Sequence, residues 1–144
     1  MSTERKALKI ICFLYVLDAI FYAIVGAFTL DGVAVLDPSG TVSLGGVEFA
    51  LVPWAVAFGA WFVLSAVFYL VLATLGIRGA NTPRKIGAFK GMVVGSLVVG
   101  IVGAVRSAAL HGPASGQSAI PYVSIALTVA SIYLAGKIQR QAER

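Results

Sequence analysis

Asp18 stands inside the run Cys12 to Gly26, where every other side chain is apolar, aromatic or small. Tyr15 lies three residues before it and Tyr22 four after it, spacings that put all three on one face of a helix. A carboxylate flanked by two phenols in an apolar helix can do two kinds of work. It can take up and release a proton or a cation, as acids along intramembrane ion paths do. It can also hydrogen-bond to a neighbouring helix and fix the packing. Ser65 and Tyr69, then Ser124, Thr128 and Ser131, supply hydroxyls that could share such a polar seam.

Arg106 is a second charge within an apolar stretch. Counting along the helices places it about 12–15 Å nearer the outer side than Asp18, beyond the reach of an arginine side chain. The sequence therefore expects Arg106 to extend toward the outer interface or to pair with Glu48. Other chemistry has little to stand on. One histidine, His111, and one cysteine, Cys12, cannot build a disulfide, a bis-histidine haem site or a cysteine-rich metal site. No G-x-S-x-G, H-E-x-x-H or P-loop pattern occurs, so no catalytic residue, metal or cofactor is expected.

The elements that carry these residues follow from composition. Hydrophobic residues make up 59% and charged residues 12% of the 144 positions, with a mean hydropathy of +0.94, the balance of a membrane protein. Charges and turn residues fence off four apolar stretches, at about 8–30, 50–77, 86–110 and 120–138. Each is near the ~20 residues that cross ~30 Å of hydrocarbon as a helix. Four segments cannot close a barrel, so the expected fold is an all-α integral membrane protein, a single four-helix transmembrane domain over 1–144. The first stretch follows a basic start, but its apolar run is about twice the 7–15 residues of a signal peptide, and it reads as a retained helix.

Ten of the eleven lysines and arginines fall at or before the start of the first stretch, between or at the edges of the second and third, or at the end of the chain from Lys137 on. The other two loops hold Asp31, Asp37 and Glu48 instead. The positive-inside rule then puts both termini and the middle loop in the cytoplasm of a multi-pass cell-membrane protein. The same distribution explains a pI near 9.7 without nucleic acid, because the cations mark three membrane edges and are not interleaved with aromatics on one face.

Two further patterns bear on contacts. In the outer loop, Val33–Leu36 and Thr41–Leu44 flank Asp-Pro-Ser-Gly and read as a short β-hairpin. In the third stretch Gly87, Gly91 and Gly95 repeat every four residues, and Gly100 and Ala104 continue a small-residue stripe that lets helices approach closely. The expected use of that stripe is packing within the chain, with a second copy as the alternative.

The four-helix size and the acid in the first helix resemble small multidrug transporters, while the outer loop and the residue spacing do not follow that family's pattern. The likeness is one of architecture. Two functions remain in view: a small polytopic protein that acts through helix–helix contacts, by self-assembly or as an accessory subunit of a membrane complex, and a homo-oligomeric proton-coupled transporter of cations or small solutes that uses Asp18. The partners implied are the lipid bilayer and a second copy or another membrane protein.

Overall fold

A computed structural model describes residues 2–44, 46–111 and 119–142, with the side chains of 44, 102–104, 106–111 and 119–122 outside that description. The chain is mainly helical: α1 runs over Thr3–Gly32, α2 over Leu51–Asn81, α3 over Ile86–His111 and α4 over Ala119–Ala142. Between α1 and α2 lie a short 3₁₀ turn, Val33–Val35, and two strands, β1 (Thr41–Leu44) and β2 (Val47–Ala50). A second 3₁₀ turn, Pro83–Lys85, joins α2 to α3. The helices overrun most of the apolar stretches by several residues, because polar residues at a helix end keep bonding in register after the apolar run stops.

Local chemistry sets the boundaries. Pro53 falls in the first turn of α2, where its missing N–H and fixed φ do no harm. That helix stops at Asn81 because Thr82 precedes a proline and takes an extended backbone, with φ −126° and ψ 89°. Pro83 then opens the 3₁₀ turn that leads directly into α3.

The hairpin is present, but it pairs different residues from those the sequence suggested. Thr41 faces Ala50, Val42 faces Phe49, Ser43 faces Glu48 and Leu44 faces Val47 in an antiparallel ladder. Val33–Val35 is a 3₁₀ turn and not a strand. The reason lies in Asp37, whose carboxylate accepts hydrogen bonds from the Ser39 N–H (2.9 Å) and hydroxyl (2.7 Å) and holds a tight turn. The Gly40 N–H closes that turn on the Asp37 carbonyl, and the Gly40 carbonyl accepts the Leu51 N–H at the start of α2. Asp-Pro-Ser-Gly thus directs the chain toward α2. The hairpin bend falls instead between Leu44 and Val47, where Gly46 has φ 83°, a left-handed backbone that glycine adopts without strain.

The chain divides into two compact units, Met1–Leu14 with Leu72–Arg144, and Tyr15–Val71. In the first, Leu8, Cys12, Leu72, Ile86, Phe89 and Ile138 are fully buried. Here α3 packs along α4, which also rests on the 3₁₀ turn Pro83–Lys85. Gly76 is the close-approach point of this unit. A methyl group built on it would overlap the Cys12 sulfur and come within 2.8 Å of the Phe89 ring. Glu4, near the start of α1, forms an ion pair with Lys137 of α4 at 3.0 Å. Solvent screens such a pair, so it adds little stability, but it shows that the first turn of α1 and the last turns of α4 share one end.

In the second unit α1 and α2 cross at a pair of facing glycines. A methyl on Gly26 would lie 2.9 Å from Val63, and one on Gly59 would lie 2.7 Å from Leu30. The outward faces of these helices carry bulky apolar side chains: Phe21 is 62% exposed, Phe28 74%, Trp61 61% and Leu64 66%. Among the described residues, α1 with its 3₁₀ extension and α2 are the two helices long and apolar enough to cross a membrane. Only 22% and 11% of their most apolar segments are buried. A core helix of a water-soluble domain hides such a segment, whereas these two turn it outward.

Candidate functional site

The face of α1 that carries Asp18 also carries the side chains named with it. Tyr15 is buried, and Asp18 and Tyr22 are partly covered. Tyr69 of α2 stacks on both tyrosines, with its ring centre 5.9 Å from Tyr15 and 5.4 Å from Tyr22, the latter pair parallel to within 2°. Residues seven apart on α1 thus grip one ring of α2 between them. Asp18, between them in sequence, is close enough to Tyr22 and Tyr69 to act on both electrostatically. Among the described residues its carboxylate has no hydrogen bond and no ion pair.

The stack continues along α2 to the hairpin. Tyr22 meets Phe62 at 5.7 Å, Phe62 meets Phe58 edge-on at 4.7 Å, Phe58 stacks on Trp54 and Trp54 on Phe49 of β2. A nearly continuous ladder of rings therefore links the Asp18 face to the hairpin. Each ring pair contributes about 0.5–1.5 kcal/mol beyond its buried area. The hairpin, marginal by itself, is anchored through Phe49 and Trp54.

Three of the hydroxyls named with Asp18 donate within their own helices. The Ser65 hydroxyl donates to the Trp61 carbonyl (2.8 Å), Thr128 to Ser124 (2.7 Å) and Ser131 to Leu127 (2.8 Å), each within its own helix. A hydroxyl in an apolar helix can always reach the carbonyl one turn back, and that local bond needs no partner helix. Glu48 sits exposed on β2, opposite Ser43. The Arg106 side chain lies outside the described residues, and with it the expected pairing to Glu48.

The small residues of α3 divide. Gly87, Gly91 and Gly95 are exposed, and a methyl built on any of them would meet no atom within 4 Å. Gly100 faces α4, with Ile125 at 3.5 Å from the built methyl. The Ala104 side chain lies outside the described residues. Within this chain α3 packs through Ile86, Phe89 and Val93, all buried, and its first three glycines open away from that face. Among the described residues, the glycines that do bring helices together are Gly26 of α1 and Gly59, Gly76 and Gly79 of α2, which sequence reasoning passed over. Their signal was faint, since they form no regular four-residue repeat and the close approach arises only when helices meet.

In the loop between α1 and α2, Asp37 is set apart by its hydrogen bonds to Ser39. The Ser39 hydroxyl and then the Ser39 N–H favour its ionised form and hold its carboxyl below the ordinary value of 3.8. Among the described residues no three His, Cys, Asp or Glu side chains converge on a point that could hold a metal ion. No protein-family model, curated protein or solved structure matches the chain.

Proposed function

We propose that the protein is a small polytopic membrane protein that acts through helix–helix contacts, assembling with itself or serving as an accessory subunit of a membrane complex. The observation that carries this reading is the open glycine face of α3. Gly87, Gly91 and Gly95 stand in a row with free space above them, while the contacts inside the chain are made by other residues. In lipid, where apolar surfaces gain nothing by hiding from the solvent, a smooth backbone face of this kind is what allows a second helix to approach.

The membrane setting proposed with it has four crossings, with both termini and the Pro83–Lys85 turn in the cytoplasm. It is supported by the outward apolar faces of α1 and α2 and by the Glu4–Lys137 pair, which brings the two ends of the chain to one side. The charge distribution along the chain agrees with that side being cytoplasmic.

A transport reading has one observation in its favour. Asp18 faces the Tyr22–Tyr69 stack with no hydrogen bond among the described residues, and an acid so placed could exchange a proton or a cation. The two readings part in a paired experiment on membranes and liposomes. Contact function requires that Gly91→Leu break up the assembly extracted from native membranes while Asp18→Asn leaves proton-coupled cation flux as it was. The opposite pattern would move the function to Asp18.

A further inference from the structure

At the end of the first unit where Glu4 meets Lys137, a groove of about 290 Å³ opens between Pro83, Arg84, Ile86 and Gly87 on one side and Gln139 and Ala142 of α4 on the other. Three features of this groove point to an anion. Arg84 is exposed and, among the described residues, has no ion pair, so its guanidinium can offer two parallel N–H donors to a phosphate. Gly87 leaves the floor bare, since a side chain there would meet no atom within 4 Å. The surrounding charge is one-sided: the described part of this unit holds Arg5, Lys6, Lys9, Arg78, Lys85, Lys90, Lys137 and Arg140 besides Arg84, against Glu4 as its one described acid. Glu4 is already paired with Lys137 and neutralises little of the rest.

We infer that this groove seats the phosphate of an anionic lipid headgroup, with Arg84 as the principal ligand. The inference rests on the membrane reading above, under which the groove lies at the level of the cytoplasmic headgroups. Basic pockets between helices at that level are suited to acidic headgroups, and each cation near the surface adds about 1 kcal/mol of attraction. Pro83, which is partly exposed, gives the groove an apolar flank against which the glycerol can lie. A diffuse basic surface would attract the same lipids without preferring any one cation. The groove makes a sharper claim, because one arginine and one bare glycine must matter more than their neighbours.

The test uses the full chain in detergent, with native mass spectrometry and thermal stability read as phosphatidylglycerol or phosphatidylcholine is added. Phosphatidylglycerol should bind in preference, and Arg84→Gln should weaken it roughly five- to tenfold, the loss of one well-placed cation. Gly87→Leu should weaken it as much by filling the groove. Lys6→Gln, an exposed cation that does not line the groove, should change binding less than twofold. Equal losses for Lys6→Gln and Arg84→Gln would overturn the inference in favour of a diffuse field, and so would equal binding of phosphatidylcholine. Inorganic phosphate that displaces the lipid at millimolar concentration would reassign the groove to a free anion. A chain that stays monodisperse without detergent would instead sink the membrane reading itself, so the two failures are distinguishable.

Discussion

Gly76 and Gly91 occupy similar apolar sequence and have opposite surroundings. Gly76 is walled in by Cys12 and Phe89, both fully buried, while Gly91 opens onto nothing within the chain. Gly76→Leu should therefore cost at least the 1–3 kcal/mol or so of an overpacked core, seen as an earlier unfolding midpoint in a denaturant titration of the micellar protein. In the same assay Gly91→Leu in the dissociated chain should move the midpoint little. Equal midpoints for the two variants would mean that the packing around Gly76 is wrong. Asp37 makes a second claim at this scale. Its folded carboxyl titrates below the ordinary value, so the turn gains stability above the unfolded pKa and loses it as the pH falls through the lower, folded one. The Ser39 amide resonance should accordingly titrate below 3.8 and lose that step in Asp37→Ala. A step at or above 3.8 would contradict the hydrogen bonds drawn to Asp37.

At the scale of elements, Tyr69 is the keystone of the contact between α1 and α2, because Tyr15 and Tyr22 both stack on it. Tyr69→Ala removes both ring contacts to α1, along with the edge contact to Phe68, and should destabilise by about 1–3 kcal/mol, whereas Tyr69→Phe keeps the stack and should lie within about 1 kcal/mol of the parent. If the phenylalanine variant lost as much as the alanine one, the hydroxyl and not the ring would be responsible. Part of this was legible beforehand, since the phenols around Asp18 share a face by counting alone. The four-residue repeat of Trp54, Phe58 and Phe62 was passed over. The hairpin was legible as an element and misread in register. Asp-Pro-Ser-Gly and Gly-Gly are both turn sequences, and what distinguishes them is a bond from Leu51 to Gly40, a contact eleven residues apart that no local pattern displays. The use of the glycines was hidden for a related reason. A four-residue repeat reveals that a helix has a smooth face, but which helix crosses it depends on the turns between them. The hydroxyls of Ser65, Thr128 and Ser131 were expected to meet Asp18 because buried polar groups need partners, yet the nearest carbonyl in the same helix meets that need first.

For the whole molecule, the proposed setting is lipid. Among the described residues two helices are long and apolar enough to cross a membrane, and the outward Phe21, Phe28, Trp61 and Leu64 are suited to hydrocarbon. The four-crossing arrangement can be checked by single cysteines in a Cys12→Ser background. Ser43→Cys on the hairpin should react with a membrane-impermeant maleimide in intact cells, and Lys85→Cys should react only after permeabilisation. Reaction of Lys85→Cys from outside would invert the topology and remove the cytoplasmic setting of the Arg84 groove. The assembly proposed through α3 makes the most direct demand, since it requires another helix against Gly91 and Gly95, which among the described residues meet no neighbour. In native membranes, Gly91→Cys and Gly95→Cys in the Cys12→Ser background should form covalent adducts with a short thiol cross-linker, while Phe13→Cys, on an outward apolar face of α1, should not. Adducts at Phe13→Cys as abundant as those at Gly91→Cys, or none at either glycine position, would contradict the account.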